Sequence, residues 1–392
     1  MKLLERGVLI IGGGIAGCSL AIALAQRGIR VTVAEKLDVW NFHSSGIFVY
    51  SNGLAELQKL GVLPGILESG FTIEQGRNLY FDQHGELITE THYPSAPGTT
   101  LAPILGVRRS EMHRVLADRM RSLGVEVRLG ATVASIEDSP ERGAVIATLN
   151  DGSRMEASLM VGADGIRSQI RAMLFGILEP EDTGFGVWRS IHRRPPELRE
   201  KIMMMGVGKR LGIMPISQDQ LYVYATSNEP GHPRYEPARL HLTMREKFAE
   251  FAGPATPLLN DIRDPSQVFY TAVEEIRLPL PWSKGRVLLI GDAAHASTPF
   301  MGQGGTMAIE DSNVLASMLE EGQDVARVLL EFGARRQPKC QFVQDVSRRV
   351  GEAGGMENAN TCVTRNARMR EQAQADVDNF YRRLHEFDLS AT

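Results

Sequence analysis

The chain has 392 residues, enough for two lobes of ordinary size. Hydrophobic residues make up 43% of it and charged residues 23%, and the net charge is -4 without a Lys/Arg-rich block. This composition predicts a globular protein and argues against a nucleic-acid partner. Cys18, Cys340 and Cys362 have neither CxxC nor metal-ligand spacing. That pattern favours a reducing cytoplasm over a disulfide framework and predicts no metal site.

An apolar stretch over residues 8–25, preceded by Lys2 and Arg6, superficially resembles a secretion signal or a membrane span. Four glycines interrupt it at positions 12, 13, 14 and 17. Such dense glycine is better explained by a phosphate-binding turn, so neither a signal nor a membrane span is expected.

The first predicted elements form one βαβ unit. Residues 8–11 have the length and composition of a buried strand, and residues 12–17 have the composition of a turn. Residues 15–27 have the periodicity of a helix, which is expected to stop at Gly28. A second strand, over residues 31–34, leads into Glu35. Gly12-x-Gly14-x-x-Gly17 allows a backbone to approach a pyrophosphate at a helix N-terminus, and a carboxylate at Glu35 can accept ribose hydroxyls. This unit predicts dinucleotide binding but does not separate NAD from FAD.

The middle of the chain predicts a change of architecture. A helix is expected over residues 111–123 and a strand over 125–129, followed by a hairpin of strands 144–149 and 155–161 around Asn150-Asp151-Gly152. Residues 185–275 alternate short β-like runs with turn residues and predict an antiparallel sheet with strands near 187–192, 202–207, 211–216 and 221–225. A strand returns at 287–290. The sequence beyond Gly305 is mostly helical, with Pro338, Gly351, Gly354 and Gly355 expected to break the helices.

Two further motifs stand at predicted strand ends. Asp164-Gly165 follows a strand, although a tight turn alone would explain it. Asp292 also follows a strand and precedes a glycine-rich loop that opens a helix, whose apolar face carries Met307, Val314, Leu315 and Met318. A second loop that binds a polyol and an anion suits the elongated FAD molecule and is not needed for NAD.

Together the motifs resemble a known family. Gly12-Gly13-Gly14-Ile15-Ala16-Gly17, Gly162-Ala163-Asp164-Gly165, and Gly291-Asp292-Ala293-Ala294-His295 with Pro299-x-x-Gly302-Gln303-Gly304 are similar to the three fingerprints of the class A flavoprotein monooxygenases, the para-hydroxybenzoate and salicylate hydroxylase superfamily. The similarity spans roughly residues 5–345. It implies an α/β fold: a Rossmann-like FAD-binding domain (1–175 and 279–325), an antiparallel-sheet substrate lobe (176–278) and a helical C-terminal region (326–392).

The resemblance also implies a set of FAD-binding residues. Gly12, Gly14 and Gly17 would hold the pyrophosphate, Glu35 the adenosine ribose and Asp292 the ribityl chain. The complete set is Gly12, Gly14, Ile15, Ala16, Gly17, Glu35, Lys36, Gly46, Ile47, Arg109, Val133, Asp164, Gly165, Asp292, Pro299, Gly302, Gly304 and Gly305. Arg108 competes with Arg109 for its role, and Ser44 replaces a glycine that is common in the family.

For the substrate, strand alternation places Arg210, Gly212 and Met214 on one face, and Tyr222 and Tyr224 on one face of the next strand. The run resembles the sheet floor of urate and alkylquinolone hydroxylases, which implies catalytic roles for Arg210, Tyr222 and Phe300; the alternative is a purely structural sheet. Phe300 stands where urate hydroxylases tend to have an acidic residue, which argues against urate. His43 and His192 are candidate bases, and Met203, Met204, Met205 and Met301 suggest an adaptable pocket.

The implied activity is hydroxylation of an aromatic or heteroaromatic small molecule with NADH or NADPH and O2, through a flavin C4a-hydroperoxide. Because no second GxGxxG unit exists in the sequence, NAD(P)H is expected to bind transiently to a cytoplasmic monomer or homodimer. Three alternatives stay open: a flavin halogenase, which would carry a Trp-x-Trp-x-Ile-Pro segment that this sequence lacks; a flavin reductase; and a non-enzymatic FAD-binding sensor.

Overall fold

A computed structural model describes residues 5–40, 45–319 and 324–390. Its strands are β1 (Val8–Ile11), β2 (Val31–Glu35), β3 (Gly46–Tyr50), β4 (Phe71–Ile73), β5 (Arg77–Asp82), β6 (Leu87–His92), β7 (Ile104–Arg108), β8 (Glu126–Leu129), β9 (Val133–Ser139), β10 (Ala144–Leu149), β11 (Arg154–Ala157), β12 (Leu159–Gly162), β13 (Glu181–Arg193), β14 (Lys201–Met205), β15 (Lys209–Pro215), β16 (Gln220–Asn228), β17 (Val268–Glu275), β18 (Ser283–Lys284) and β19 (Val287–Leu289).

The helices, in the same chain order, are α1 (Ile15–Ala25), α2 (Ser51–Lys59), α3 (Leu63–Ser69), α4 (Arg109–Ser122), α5 (Gln169–Phe175), α6 (Leu240–Lys247), α7 (Ala255–Asp261), α8 (Asp292–His295), α9 (Gly304–Met318), α10 (Val325–Gly354) and α11 (Ala359–Ser390). None of the helices in the described parts of the chain is both long and apolar enough to cross a membrane.

The N-terminal βαβ unit is confirmed, and it lies at the centre of a six-stranded sheet. The strand order is β18-β19-β12-β1-β2-β8, and all pairs are parallel except β18 with β19. Every residue of β1 is buried, as in parallel sheets that are covered on both faces. Helix α1 is almost wholly apolar, since it packs against β1 and β2 on one side and α4 and α9 on the other.

The predicted strand 155–161 is wrong as a single element. It divides at Ser158 into β11, which pairs with β10 as a hairpin, and β12, which pairs in parallel with β1. The burial pattern explains the division: β12 is buried at all four positions, whereas β11 alternates with solvent. The hairpin strand β11 has one solvent-exposed face, and it is followed by the central strand β12, which is buried on both faces.

The predicted antiparallel sheet exists, but it is larger than its own stretch of sequence. Its order is β17-β13-β16-β15-β14-β5-β6, so two strands come from residues 77–92, far upstream. The upstream strand β5 pairs in parallel with β14, and the other neighbouring strands of this sheet are antiparallel. One face of this seven-stranded sheet packs on α6 and α7 around Trp188, Phe248 and Phe251, and the other face turns toward the parallel sheet.

Pro338 does not break a helix. It lies inside α10, which continues to Gly354 and is capped by Gly355, so Gly351 is also a helical residue. An internal proline costs about 3 kcal/mol. The buried apolar side of α10, including Val328, Leu329 and Phe332, offsets that cost because each buried side chain contributes about 1.5–3 kcal/mol.

Candidate active site

One cavity of about 340 Å³ lies between the carboxyl ends of β1 and β12 and the open face of the seven-stranded sheet. Ligands bind at this edge in open parallel sheets. The cavity brings together fifteen of the predicted site residues from distant parts of the chain: Gly14, Ile15, Ala16, Gly46, Ile47, Arg109, Gly165, Arg210, Tyr222, Asp292, Pro299, Phe300, Gly302, Gly304 and Gly305.

The first glycine loop is shaped by close backbone approach. Gly12 has φ +104°, and a Cβ on it would lie 2.4 Å from the carbonyl oxygen of Ala163. A Cβ on Gly17 would lie 1.9 Å from the carbonyl oxygen of Gly12. Gly14, in contrast, has open space at its Cβ position and lines the cavity. Gly12 and Gly17 thus form the turn, and Gly14 is the position at which a phosphate can approach the backbone.

Glu35 fastens this loop. Its buried carboxylate accepts hydrogen bonds from the backbone N–H of Gly13, at 2.7 Å, and of Leu37, at 3.0 Å. Each carboxylate oxygen can accept more than one hydrogen bond, so these contacts leave acceptor capacity for a ribose, which stays a prediction. Lys36 and Val133 do not line the cavity; Lys36 is exposed, and Val133 is buried at the start of β9.

Asp164 has a local structural role in the second motif. One of its carboxylate oxygens accepts a hydrogen bond from Ser168 Oγ at 2.5 Å, and the other accepts from the N–H of Ile170 at 3.1 Å. Ser168 in turn caps the N-terminus of α5. The aspartate therefore holds the turn in shape, and the adjoining Gly165 is the residue that lines the cavity.

A buried ionic network supports the third motif. Asp311 of α9 accepts hydrogen bonds from the N–H of Gly291 at 2.9 Å, from His295 Nε2 at 2.7 Å and from Arg336 Nε at 2.7 Å. Burial alone would raise the pKa of Asp311, but the charges of His295 and Arg336 outweigh it and lower the pKa to about 2. These contacts fix Gly291, and thereby direct Asp292 toward the cavity.

The cavity fits FAD. At one end the open backbone at Gly14 faces the space where a pyrophosphate must lie. At the other end α9 begins with Gly304 and Gly305, whose unbonded N–H groups can stabilise an anionic ring edge. Asp292, exposed and on the cavity wall between them, supplies the acceptor for a polyol. This arrangement contains the groups that a phosphate–polyol–ring molecule requires.

The structure distinguishes the two adjacent arginines. Arg108 Nε donates to Gln220 Oε1 at 2.6 Å, whereas Arg109, the first residue of α4, lines the cavity. Of the two, Arg109 is the one placed to contact FAD, and that role stays a prediction. His43 and Ser44 lie outside the described residues.

The substrate end of the cavity is built from the seven-stranded sheet. Tyr222 and Tyr224 stack with their ring centroids 5.4 Å apart. Arg210, buried on the neighbouring strand, donates from Nε to Thr226 Oγ1 at 3.1 Å, and its guanidinium carbon lies 4.4 Å from the ring centroid of Phe300. Burial lowers the pKa of Arg210 to about 10, so it remains charged at neutral pH. The three predicted catalytic residues therefore share one wall.

Sequence reasoning did not identify several wall residues: Phe48, Val187, Arg189 and Thr226. The signal was present in the alternation of strands, since residues 187 and 189 of β13 and 222, 224 and 226 of β16 point to one face. Opposite parity places His192 on the far face, where it contacts Ser190 Oγ at 2.7 Å and Asp261 at 3.2 Å. The candidate base His192 therefore lies on the wrong side of the sheet.

The methionines do not form a flexible pocket. Met203 and Met205 pack with Ile88, and Met204 lies in the core on the opposite face of the sheet. Met301 packs against the core of the parallel-sheet lobe. None of them lines the cavity, so the prediction of a methionine-lined pocket is wrong and these side chains fill core space.

Residues 5–347 match the model of the FAD binding domain family. An aurachin C monooxygenase/isomerase of Stigmatella aurantiaca is 32% identical over 384 residues, which cover 97% of this chain and 98% of that protein. A 2-heptyl-3-hydroxy-4(1H)-quinolone synthase of Pseudomonas aeruginosa is 32% identical over 386 residues, covering 96% and 97%. The crystal structure of Klebsiella pneumoniae HpxO complexed with FAD and uric acid superimposes with a TM-score of 0.86 at 26% identity and covers 97% of both chains.

Proposed function

The chain belongs to the FAD-binding domain family and is an FAD-dependent aromatic monooxygenase, and from this premise we propose that its substrate is a flat, electron-rich heteroaromatic of the 4-quinolone class. Two relatives that match nearly the whole chain are named for quinolone or aurachin chemistry. The observation that carries the proposal is the wall formed by Tyr222, Tyr224 and Phe300 beside the buried cation Arg210.

The wall suits a planar ring with one polar edge. Stacked or edge-on aromatic contacts with Tyr222, Tyr224 and Phe300 favour a flat aromatic over an aliphatic ligand. Arg210 offers N–H donors to a ring carbonyl or an anionic oxygen. Phe300 gives no hydrogen bond, which leaves a urate ring short of partners at that edge and favours a less polar ring.

The protein's part in catalysis is to position the ring and to exclude water. FAD, when bound, supplies the redox and oxygen-transfer chemistry. Arg210 would hold the oxygen of the substrate and stabilise negative charge on it, which makes the ring more electron-rich. Tyr222 and Phe300 would orient the ring plane, and Phe48 and Val187 would keep the cavity dry.

NAD(P)H and O2 are the proposed co-substrates. Among the residues that the structure describes, β1–α1–β2 is the one βαβ unit that carries the GxGxxG pattern, and it faces the FAD cavity. NAD(P)H is therefore proposed to bind transiently, at a surface outside this unit. The three cysteines are free and buried, which supports a cytoplasmic location. A monomer or homodimer is proposed. We also propose the domain limits 1–175 with 279–325, 176–278 and 326–392.

A second candidate is a hydroxybenzoate-type acid. Arg189 lines the same cavity as Arg210, and two arginines can bind a carboxylate. A 3-hydroxybenzoate 6-hydroxylase of Aquipseudomonas alcaligenes is 29% identical over 364 residues. The halogenase, reductase and sensor alternatives receive no support from the comparisons.

The test is a screen of 4-quinolones, hydroxybenzoates and urate for stimulated NAD(P)H oxidation by the FAD-loaded protein, with product mass and H2O2 measured. We expect a 4-quinolone to gain one oxygen atom with little H2O2. Oxygenation of a hydroxybenzoate alone would support the second candidate. Stimulation by urate alone would refute the argument from Phe300.

A further inference from the structure

Two cations lie buried on the cavity-facing side of the seven-stranded sheet. Arg210 is 5% and Lys201 is 4% exposed. Arg210 contacts Thr226, and Lys201 Nζ donates to the hydroxyls of Tyr50, at 3.1 Å, and Tyr93, at 3.2 Å. Within the described residues neither cation forms an ion pair with a carboxylate. A buried charge without a counterion is unfavourable, so this pair needs either an anion or the loss of a proton.

The surroundings of Lys201 bring the pKa of its amine close to neutral pH. Burial, and then the charge of Arg210, lower the pKa of Lys201 to about 7. The ring centroids of Phe48, Tyr50 and Tyr93, at 5.1, 5.5 and 4.9 Å from Nζ, favour the charged form. The titratable and charged groups of the packed elements around it are Tyr50 of β3, Tyr80 of β5, Tyr93 after β6, Arg210 of β15, Tyr224 of β16 and Tyr381 of α11.

Buried polar side chains flank Lys201 on both sides of its strand. On the side away from the cavity, Asn78 of β5 is the cross-strand neighbour of Lys201 and Thr91 of β6 is the neighbour of Asn78, and both are fully buried. On the cavity side, Tyr224 lines the cavity, and its hydroxyl is buried without a hydrogen-bond partner. Such groups are normally bridged by ordered water, which can carry protons.

We propose that Lys201 takes up the proton that an ionisable aromatic substrate loses when it binds in the cavity, with Tyr224, Tyr50 and Tyr93 as the relay. The O–H or N–H bond of the substrate breaks and its electron pair stays on the ring. The proton passes along the hydroxyls and an N–H bond forms on neutral Lys201. No proton is exchanged with solvent, and the conjugate base lies beside Arg210.

This inference rests on the proposed function, because it requires an electron-rich aromatic with an ionisable group. It explains how two basic side chains without a carboxylate partner are kept together: Lys201 stays neutral until the substrate transfers its proton, and the substrate anion then offsets the new positive charge. Lys201 does not line the cavity. It is therefore a positioning residue that acts through the tyrosines, and its removal should alter pH dependence more than FAD binding.

The first test does not depend on the substrate. The Cε resonances of ¹³C-labelled lysines in the FAD-loaded enzyme are followed against pH by NMR, and Lys201→Arg identifies the resonance of Lys201. We expect this resonance to titrate near neutral pH, far below the other lysines. An amine that remains charged well into the alkaline range overturns the proposal.

The second test is the pH profile of kcat/KM with 4(1H)-quinolone, and the control ligand is 1-methyl-4-quinolone, which has no proton to lose. Because Lys201 must be neutral to accept a proton, we expect wild-type kcat/KM to fall about tenfold per pH unit below the pKa of Lys201. This acidic limb should vanish in Lys201→Met and persist in Lys209→Met, a control at an exposed ion pair with Glu250.

The outcomes separate the two proposals. The same acidic limb in Lys201→Met as in wild type overturns the role of Lys201, as does an acidic limb of equal size with the N-methyl ligand. If neither quinolone stimulates NAD(P)H oxidation or perturbs the flavin absorbance, the proposed substrate class is wrong. In that case the NMR titration alone decides whether Lys201 is a proton acceptor, and a permanently charged amine refutes it.

Discussion

Gly351 of α10 lies directly against the ring of Phe300, and we expect Gly351→Ala to damage activity more than stability. A Cβ at this position would lie 2.2 Å from Cε2 and 2.4 Å from Cδ2 of Phe300, whereas carbon atoms normally approach to about 3.5–4.0 Å. The ring must therefore move by more than about 1 Å. Phe185, at 5.2 Å between ring centroids, and Arg210, at 4.4 Å, contact the same ring, so the movement disturbs the cavity wall.

Two effects of opposite sign act on the free energy of unfolding. Replacing a glycine inside a helix by alanine stabilises by about 1 kcal/mol, and overpacking costs about 1–3 kcal/mol. The net destabilisation should not exceed about 2 kcal/mol. A displacement of about 1 Å at a reacting site can lower the rate by about 100-fold, so we expect kcat/KM to fall by about 10- to 100-fold with FAD retained.

Gly333→Ala, in the same helix, is the matched control. Its Cβ would meet Leu280 Cδ2 at 3.1 Å, the end of a flexible side chain that is 41% exposed. We expect this variant to keep wild-type kinetics and to gain up to about 1 kcal/mol of stability. Thermal unfolding, FAD content and substrate-stimulated NAD(P)H oxidation are measured for both variants. Wild-type KM and coupling in Gly351→Ala would refute the idea that the glycine sets the position of Phe300.

Four further substitutions test the site. Asp292→Ala should weaken FAD binding by about 1.5–3 kcal/mol because a charged acceptor is lost; unchanged affinity in an FAD titration removes the assignment to the ribityl chain. Arg210→Ala and Tyr222→Phe should raise KM or divert NAD(P)H oxidation to H2O2 while FAD stays bound, and wild-type behaviour of both would show that this sheet face is not the substrate wall. Asp311→Ala should lower the free energy of unfolding by about 3–5 kcal/mol because buried cations lose their partner. The control Asp345→Ala, at a more exposed ion pair with Arg277, should lower it by less than about 1 kcal/mol. Similar losses for the two variants in denaturant titrations would contradict the buried network.

The cofactor half of the site was predictable because its signals are local. A glycine that turns the backbone just before a helix, as at Gly12, is visible within a few residues of sequence. Asp292 was also predictable from local sequence, because it follows the apolar strand β19 and begins α8. The addition of β5 and β6 to the seven-stranded sheet was not predictable, because pairing over more than a hundred residues leaves no mark in the periodicity of either segment. The prediction that Pro338 breaks a helix was wrong because the buried apolar side of α10 offsets the low helix propensity of proline.

The substrate half was predictable only where strand parity could be followed. Arg210 and Tyr222 were assigned to one face by alternation, and the structure places them together. His192 was proposed from its chemistry without regard to parity, and it lies on the opposite face. Lys201 gave no signal, since a lysine at the start of an apolar strand is normally exposed; only the packing of Tyr50 and Tyr93 around it reveals that it is buried.

The positions of the aromatic wall residues are set largely by glycines of neighbouring elements. A Cβ on Gly46 would lie 2.4 Å from Cγ of Tyr222, and a Cβ on Gly302 would lie 2.1 Å from Cε2 of Phe48. Gly351 stands in the same relation to Phe300. In each case an aromatic side chain of the wall rests on a glycine from another element. These glycines therefore govern the distance between the substrate ring and the cofactor loop. Gly351 does not line the cavity. A single methyl group added at Gly351 can thus change substrate selectivity without replacing any residue that contacts the substrate.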